Sequence, residues 1–313
     1  MVLGDATAAR WPGVAAGRGH YESYYLRAVD PAGTRGVWIR YTVSVAPGGL
    51  PLGQLWFTFF DRSAAPMAIR VEAGPATTGQ QAWIRMGDST FGPAGIDGRA
   101  GSASWSLACR DGEPLLEHLP REWMYAARLP RTKLLSLSPS ALFDGRFEVD
   151  GESVSVAGWR GMVGHNWGEQ HAEEWIWLHG LGFEGAPDAW VDVAVGQVRI
   201  GPVVTPWVAN GAVSVDGDRI RIGGLGRRVT VDAAADRCDL RLPATGATVA
   251  ASVSAPPAAF VEWDYADPTP GHPAHRVLNC SVADLTVTVA RRGAAPVELR
   301  TSGQGAYECG RAT

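Results

Sequence analysis

Along most of the chain, apolar and polar positions alternate in short runs instead of recurring every three or four residues, which is strand patterning. The runs at 22–29, 36–45, 54–60, 81–86 and 102–109 are rich in aromatic and β-branched residues and are separated by Gly, Pro and Asp. Prolines at 114, 120, 130 and 139 then interrupt the pattern, so 114–142 reads as a connecting region with a short helix over 121–129. Strand patterning returns at 146–149 and 153–159, joined by the hairpin signal Asp150-Gly151. It continues at 173–183, 189–200, 219–222, 228–231, 248–253, 260–265, 276–282 and 285–290. Between the last two runs the apolar parity changes, from Leu278, Cys280 and Val282 to Leu285, Val287 and Val289, which predicts a turn or bulge near Asp284. The spacing predicts an all-β fold, an antiparallel barrel or sandwich in each half, with a boundary near residue 150 that divides the chain into 1–150 and 151–313.

Gly19-His20-Tyr21-Glu22 and Gly164-His165-Asn166-Trp167 echo each other, and each precedes a Trp-containing strand at Trp38-Ile39-Arg40-Tyr41 or Trp175-Ile176-Trp177-Leu178. The echo suggests a duplicated barrel. Gly223-Gly224-Leu225-Gly226 lacks the strand-to-helix setting of a dinucleotide loop and reads as a turn.

Composition narrows the function classes. With 46% hydrophobic and 19% charged residues the chain can bury a large core, which excludes disorder, and 39 glycines with 21 prolines leave little room for long helices. The net charge of −4, with basic residues spread along the chain, gives no footprint for nucleic acid or an anionic membrane. No run approaches the ~18 apolar residues of a membrane helix, and 1–20 lacks a basic segment followed by an apolar one, so the expected setting is cytosolic. The cysteines at 109, 238, 280 and 309 have no paired spacing and read as reduced, buried thiols.

The densest chemistry lies in 161–180, which holds three of the seven histidines and three of the thirteen tryptophans. Period-two alternation puts Trp175, Trp177 and His179 on one strand face, opposite Ile176 and Leu178; His165, Trp167 and Glu169 share a face of their own. The aromatic stripe reads as barrel core or as the wall of a ligand site. The spacing of His165, His171 and His179 matches no zinc pattern, so no metal is expected. In the next run Trp190 and Asp192 share a face opposite Val191, Val193 and Val195. Enclosure of Asp192 beside Trp190 would raise its pKa, as a general acid requires. His20, Glu22 and Tyr24 share a face and read as exposed strand positions.

His20-Tyr21-Glu22-Ser23-Tyr24-Tyr25, Gly164-His165-Asn166-Trp167-Gly168 and Trp175-Ile176-Trp177 together resemble the two-domain lipocalin-like superfamily of carotenoid 1,2-hydratase, which also includes tocopherol cyclase relatives and fungal lipocalin-like Diels-Alderases. The resemblance implies two tandem calycin-type barrels with a ligand site in or between them, and no cofactor. It also implies an apolar unsaturated substrate, isoprenoid or polyene. Trp167 matches the Trp of the family's His-Asn-Trp-Gly motif, and Trp190-Val191-Asp192 is similar to its aromatic-x-Asp. The resulting expectation is a hydratase or cyclase that protonates an alkene from Asp192, with His165 and His179 relaying protons. Trp167, Trp175, Trp177 and Trp190 would stabilise the cation, and Glu169, Asn166 and Tyr25 would order water. A pericyclase, or a carrier of apolar ligands without catalysis, would use the same cavity.

Overall fold

Two antiparallel sheets account for nearly all of the regular structure in the computed structural model, which describes residues 5–224, 226–268 and 271–312. In hydrogen-bonded order the first sheet runs Met67–Pro75, Leu52–Asp61, Arg35–Val45, His20–Val29, Glu152–Gly168, Thr132–Val149 and Ala103–Arg110. It then steps back through short strands from Gly95–Ala100 to Thr77–Gly79. The second runs Asp218–Gly223, Val208–Val215, Trp190–Gln197, Glu174–Gly180, Val297–Ala312, His275–Arg291, Ala247–Ser254, Arg237–Ala244 and Thr230–Ala233, and the pair Ile222↔Ala244 joins the first of these strands to the last but one. Each sheet curls into a closed or nearly closed barrel, giving the tandem lipocalin-like architecture.

Alternation decides which residues fill the barrels. Leu26, Ile39, Phe57, Ile96 and Phe143 belong to the core of the first barrel, and Ile176, Leu178, Val191, Val193, Val195 and Val287 to that of the second. The opposite faces of the same strands, carrying Tyr25, Arg27, Trp38, Arg40 and Trp56 on one side and Trp175, Trp177, His179 and Asp192 on the other, meet between the barrels, where Trp38 and Trp56 join the buried cluster of the second. Trp56 packs edge-to-face on Trp263 with ring centroids 5.0 Å apart, and Arg27 Nη2 donates to the Ser281 carbonyl at 2.7 Å. The barrels are therefore joined by large buried rings and buried hydrogen bonds.

Three expectations change. The strand Glu152–Gly168 pairs with both His20–Val29 and Thr132–Val149, so the break between sheets falls between Gly168 and Glu174 and not at residue 150. Asp150 and Gly151, at φ 48° and 82°, form the expected hairpin turn, but that hairpin lies within the first barrel. The two echoing segments are neighbours in one sheet, with Tyr24 opposite His165 and Glu22 opposite Trp167, so they do not occupy equivalent places in two barrels. Only Trp123–Ala126 of the helix expected at 121–129 is α-helical.

The parity change near Asp284 is a bulge: the register between His275–Arg291 and Val297–Ala312 shifts around Ala283. Of the turn read at 223–226, Gly223 closes a strand, while Leu225 lies outside the described residues. Among the described residues no helix is long and apolar enough to cross a membrane, which leaves strands aside. The four cysteines form no disulfide; Cys238 and Cys280 are buried and Cys109 and Cys309 half-buried.

Candidate functional site

A cavity of about 460 Å³ lies between the barrels. Its walls come from outward-facing residues of the first sheet (Tyr21, Tyr25, Trp38, Arg40, Asn166) and of the second (Trp175, Trp177, Asn210, Tyr265, Glu308). The segment holding His118, Leu119 and Trp123 closes one side. Two glycines let rings lie flat on the walls. A Cβ on Gly164 would stand 2.2 Å from the Tyr25 ring, and one on Gly310 would stand 2.1 Å from the Trp175 indole. Trp123, Leu129 and Ile200 line the cavity and are also exposed, as is Val203 opposite Ile200, so its mouth has an apolar rim.

Behind the wall sits Asp192, wholly buried. Trp177 Nε1 donates to Oδ1 at 2.9 Å, Ser136 Oγ donates to Oδ2 at 2.5 Å, and His118 Nε2 is 3.6 Å from Oδ2. Burial pushes the Asp192 pKa up, but the His118 charge, His179 and the Ser136 hydroxyl outweigh it and hold the carboxyl at about 2. This corrects the expectation of a neutral acid: enclosure came with hydrogen-bond donors and a cation, so Asp192 is a carboxylate.

The hydrogen bonds fix the states of the histidines around it. His118 Nδ1 faces the Asn210 carbonyl at 3.2 Å and must donate. Its Nε2 lies 3.0 Å from Ser136 Oγ, whose proton goes to Asp192, so Nε2 donates as well. His118, Ser136 and Asp192 thus form a chain of charge-assisted hydrogen bonds ending at the cavity. His179 is different. Its Nδ1 accepts from Arg27 Nη1 at 3.0 Å and its Nε2 donates to the Pro139 carbonyl at 2.9 Å. Burial and the Arg27 charge lower its pKa to about 4, so it is a neutral imidazole locked between two partners.

Of the residues singled out from sequence, Trp175, Trp177, Asn166, Tyr25 and His171 line the cavity, and Asp192 reaches it through Trp177 and, by way of Ser136, through His118. The others lie elsewhere. His165 donates from Nε2 to Glu22 at 2.7 Å and from Nδ1 to the Ala6 carbonyl at 2.9 Å, and its ring stacks on Tyr24. Trp167 packs with Leu119, Met124, Tyr125 and Leu135 beneath the segment that closes the cavity. Glu169 pairs with Arg18, and Trp190 is buried against Leu116, Leu181 and Ala212 with Arg219 over its ring. Parity explains the split: His165 and Trp167 point to the opposite face of their strand from Asn166. His165, His171 and His179 do not converge.

Sequence reasoning missed His118 and Ser136, which fall in the proline-interrupted region taken for a connector, and Asn210, Arg40, Tyr265 and Glu308. The one available signal was the tripeptide Glu117-His118-Leu119 amid apolar residues.

Compared with known proteins, the chain matches no family model. It is 32% identical over 177 residues to the uncharacterized protein Rv0493c of Mycobacterium tuberculosis (strain ATCC 25618 / H37Rv), a match covering 56% of this chain and 52% of the relative. The chain thus spans about half the length of the curated relative it matches. The crystal structure of CghA with Sch210972 superposes with a TM-score of 0.67 at 11% identity, covering 100% of this chain and 93% of that one. Kievitone hydratase from Nectria haematococca gives 0.53 at 12% identity, covering 95% and 90%. In fold the chain is similar to these proteins, and its two antiparallel barrels have the tandem lipocalin-like architecture that the resemblance implied.

Proposed function

We propose that the protein is a cofactor-independent cyclase or hydratase, in which an apolar unsaturated substrate folds between the barrels and receives a proton or a hydrogen bond from His118. One observation carries this reading: an imidazole on the wall of an aromatic cavity is joined through Ser136 to a buried, ionised Asp192. The carboxylate orients the imidazole through the Ser136 hydroxyl, the role such a group plays in catalytic triads. The bond from Nδ1 to the Asn210 carbonyl is the longer of the two, at 3.2 Å, and both residues line the cavity, so Nδ1 is the nitrogen that turns to a ligand.

A histidine N–H is too weak an acid for an isolated alkene. It suits a substrate whose double bond is conjugated to a carbonyl, where a hydrogen bond to oxygen lowers the barrier to cyclisation or to water addition. Trp175, Trp177, Tyr25 and Tyr265 supply the apolar walls that hold the chain in a reactive shape. The shared fold of kievitone hydratase and of CghA with its bound Sch210972 supports a hydratase or cyclase kind of activity.

The test is incubation with conjugated-carbonyl polyenes followed by liquid chromatography and mass spectrometry. Hydration adds one water, and cyclisation shifts retention at constant mass. His118→Ala is expected to lower turnover by about 10²–10⁴-fold while substrate still quenches tryptophan fluorescence. Turnover untouched by that substitution would overturn the assignment, and binding without any product would make the protein a carrier.

A further inference from the structure

We infer that the ligand of this cavity carries an anionic head, a carboxylate or an enolate, and that Arg40 holds it. The inference deepens the function proposed above and rests on it, since it concerns the same cavity.

Arg40 stands on the outer face of the Arg35–Val45 strand, opposite Tyr25 in register, and is the one arginine among the described residues lining the cavity. It is only 5% exposed. Its guanidinium carbon lies 4.6 Å from the Tyr265 ring centroid, 5.9 Å from that of Trp56 and 6.0 Å from that of Trp38. Its Nε donates to Ser23 Oγ at 2.9 Å. Among the described residues no carboxylate lies within 4.0 Å of it, whereas Arg35, Arg62 and Arg219, all more exposed, each have an acidic partner.

The carboxylate on the same wall is engaged elsewhere. Glu308 accepts from Trp175 Nε1 through Oε1 and from Asn279 Nδ2 through Oε2, both at 3.0 Å, and the Tyr265 hydroxyl lies 3.5 Å from Oε2. Lys133, the other long-chain cation on the cavity wall, donates Nζ to the Pro130 carbonyl.

A cation taken out of water without a counterion is destabilising, and aromatic faces offset only part of that. The planar fork of a guanidinium matches the two oxygens of a carboxylate, and a low-dielectric cavity strengthens the pairing. The geometry therefore suits an amphipathic acid: its head on Arg40, its apolar body along Trp175 and Trp177, and its reacting carbons toward His118.

The matched probes are decanoate and decanol, titrated at pH 7.5 into the full chain with tryptophan fluorescence as readout. Decanoate is expected to bind about tenfold or more tighter than decanol. Arg40→Gln should erase that preference by weakening decanoate binding about tenfold or more. Arg40→Lys, which keeps the charge and loses the fork, should retain part of it and covers the case in which the first variant does not fold. Equal binding of the two probes by the unmodified protein, or a preference that survives in Arg40→Gln, overturns the anionic head while leaving the apolar cavity standing. If neither probe binds, the cavity reading falls as well.

Discussion

Two buried carboxylates, Glu22 in the first barrel and Asp192 in the second, each meet an imidazole whose two nitrogens both donate, and both are held at about 2. Around Glu22 every acceptor position is taken. The backbone N–H groups of Arg10 and Trp11 donate to it at 2.8–3.0 Å, and His165, His20 and the Tyr24 hydroxyl add further bonds. Far from being exposed strand positions, Glu22 and Tyr24 are wholly buried and His20 nearly so; they pin the segment at residues 6–11 across the first barrel. Around Asp192 the donors are side chains, and one of them, His118, lines a cavity. Similar electrostatics therefore serve two ends: a saturated cluster holds a segment in place, while a cluster with one face on empty space can act on a ligand. Access separates the two where carboxyl acidity does not.

Substitution of the two carboxylates should separate these roles most sharply. Glu22→Ala strands two backbone N–H groups and an imidazole in the interior, and is expected to lower unfolding free energy by about 3–5 kcal/mol in urea titration. Asp192→Asn keeps an acceptor for Trp177 and a hydrogen-bonding group for Ser136, so it should destabilise by less, about 1–2 kcal/mol, while lowering turnover about 10²-fold or more. A larger stability loss for Asp192→Asn than for Glu22→Ala would invert the comparison.

Acid titration sharpens it further. Burial works to raise the Glu22 pKa, but its bonds to His165 and His20 bring it from 4.5 down to about 2. A folded pKa below the unfolded one means that the unfolded chain takes up the proton first. The stabilisation is therefore full above about pH 5 and lost as pH falls toward 2, and Asp192 behaves alike. The urea midpoint should be flat above that range and drop by an amount equivalent to about 2–3 kcal/mol per carboxylate. Glu22→Gln should flatten the drop; an unchanged acid limb in that variant would show that Glu22 is not held ionised.

The smallest effect belongs to the cavity mouth. Ile200→Ser is expected to change stability by less than about 0.5 kcal/mol, since the side chain is exposed, yet to weaken binding of an apolar probe a few-fold. The same readout for a substitution on the Glu22 side of the first barrel, such as Thr7→Ala, should not move.

The route from sequence to site failed at identifiable places. Alternation told that Trp175, Trp177 and His179 share a face and that Ile176 and Leu178 share the other, but not which face is the interior. The aliphatic set fills the second barrel, because branched chains pack a narrow lumen and the opposite face finds cover only against the other barrel. The same ambiguity put His165 and Trp167 with Asp192, although a one-residue step in parity turns them away from the cavity and leaves Asn166 facing it. His118 carried no periodic signal at all. Its function comes from lying within reach of Ser136, 18 residues on, and of the Asn210 backbone, 92 residues on.

Strand content, hairpin chemistry at Asp150-Gly151 and the bulge near Asp284 are all properties of local order in the chain, because backbone pleat and turn geometry act over a few residues. Which faces turn inward, where one sheet ends and the next begins, and the sign of the shift on Asp192 depend on groups brought together from distant segments. Desolvation alone would have kept that carboxyl protonated. Trp177 and His179 come from the neighbouring strand, but Ser136 and His118 reach the carboxyl only when the two barrels meet.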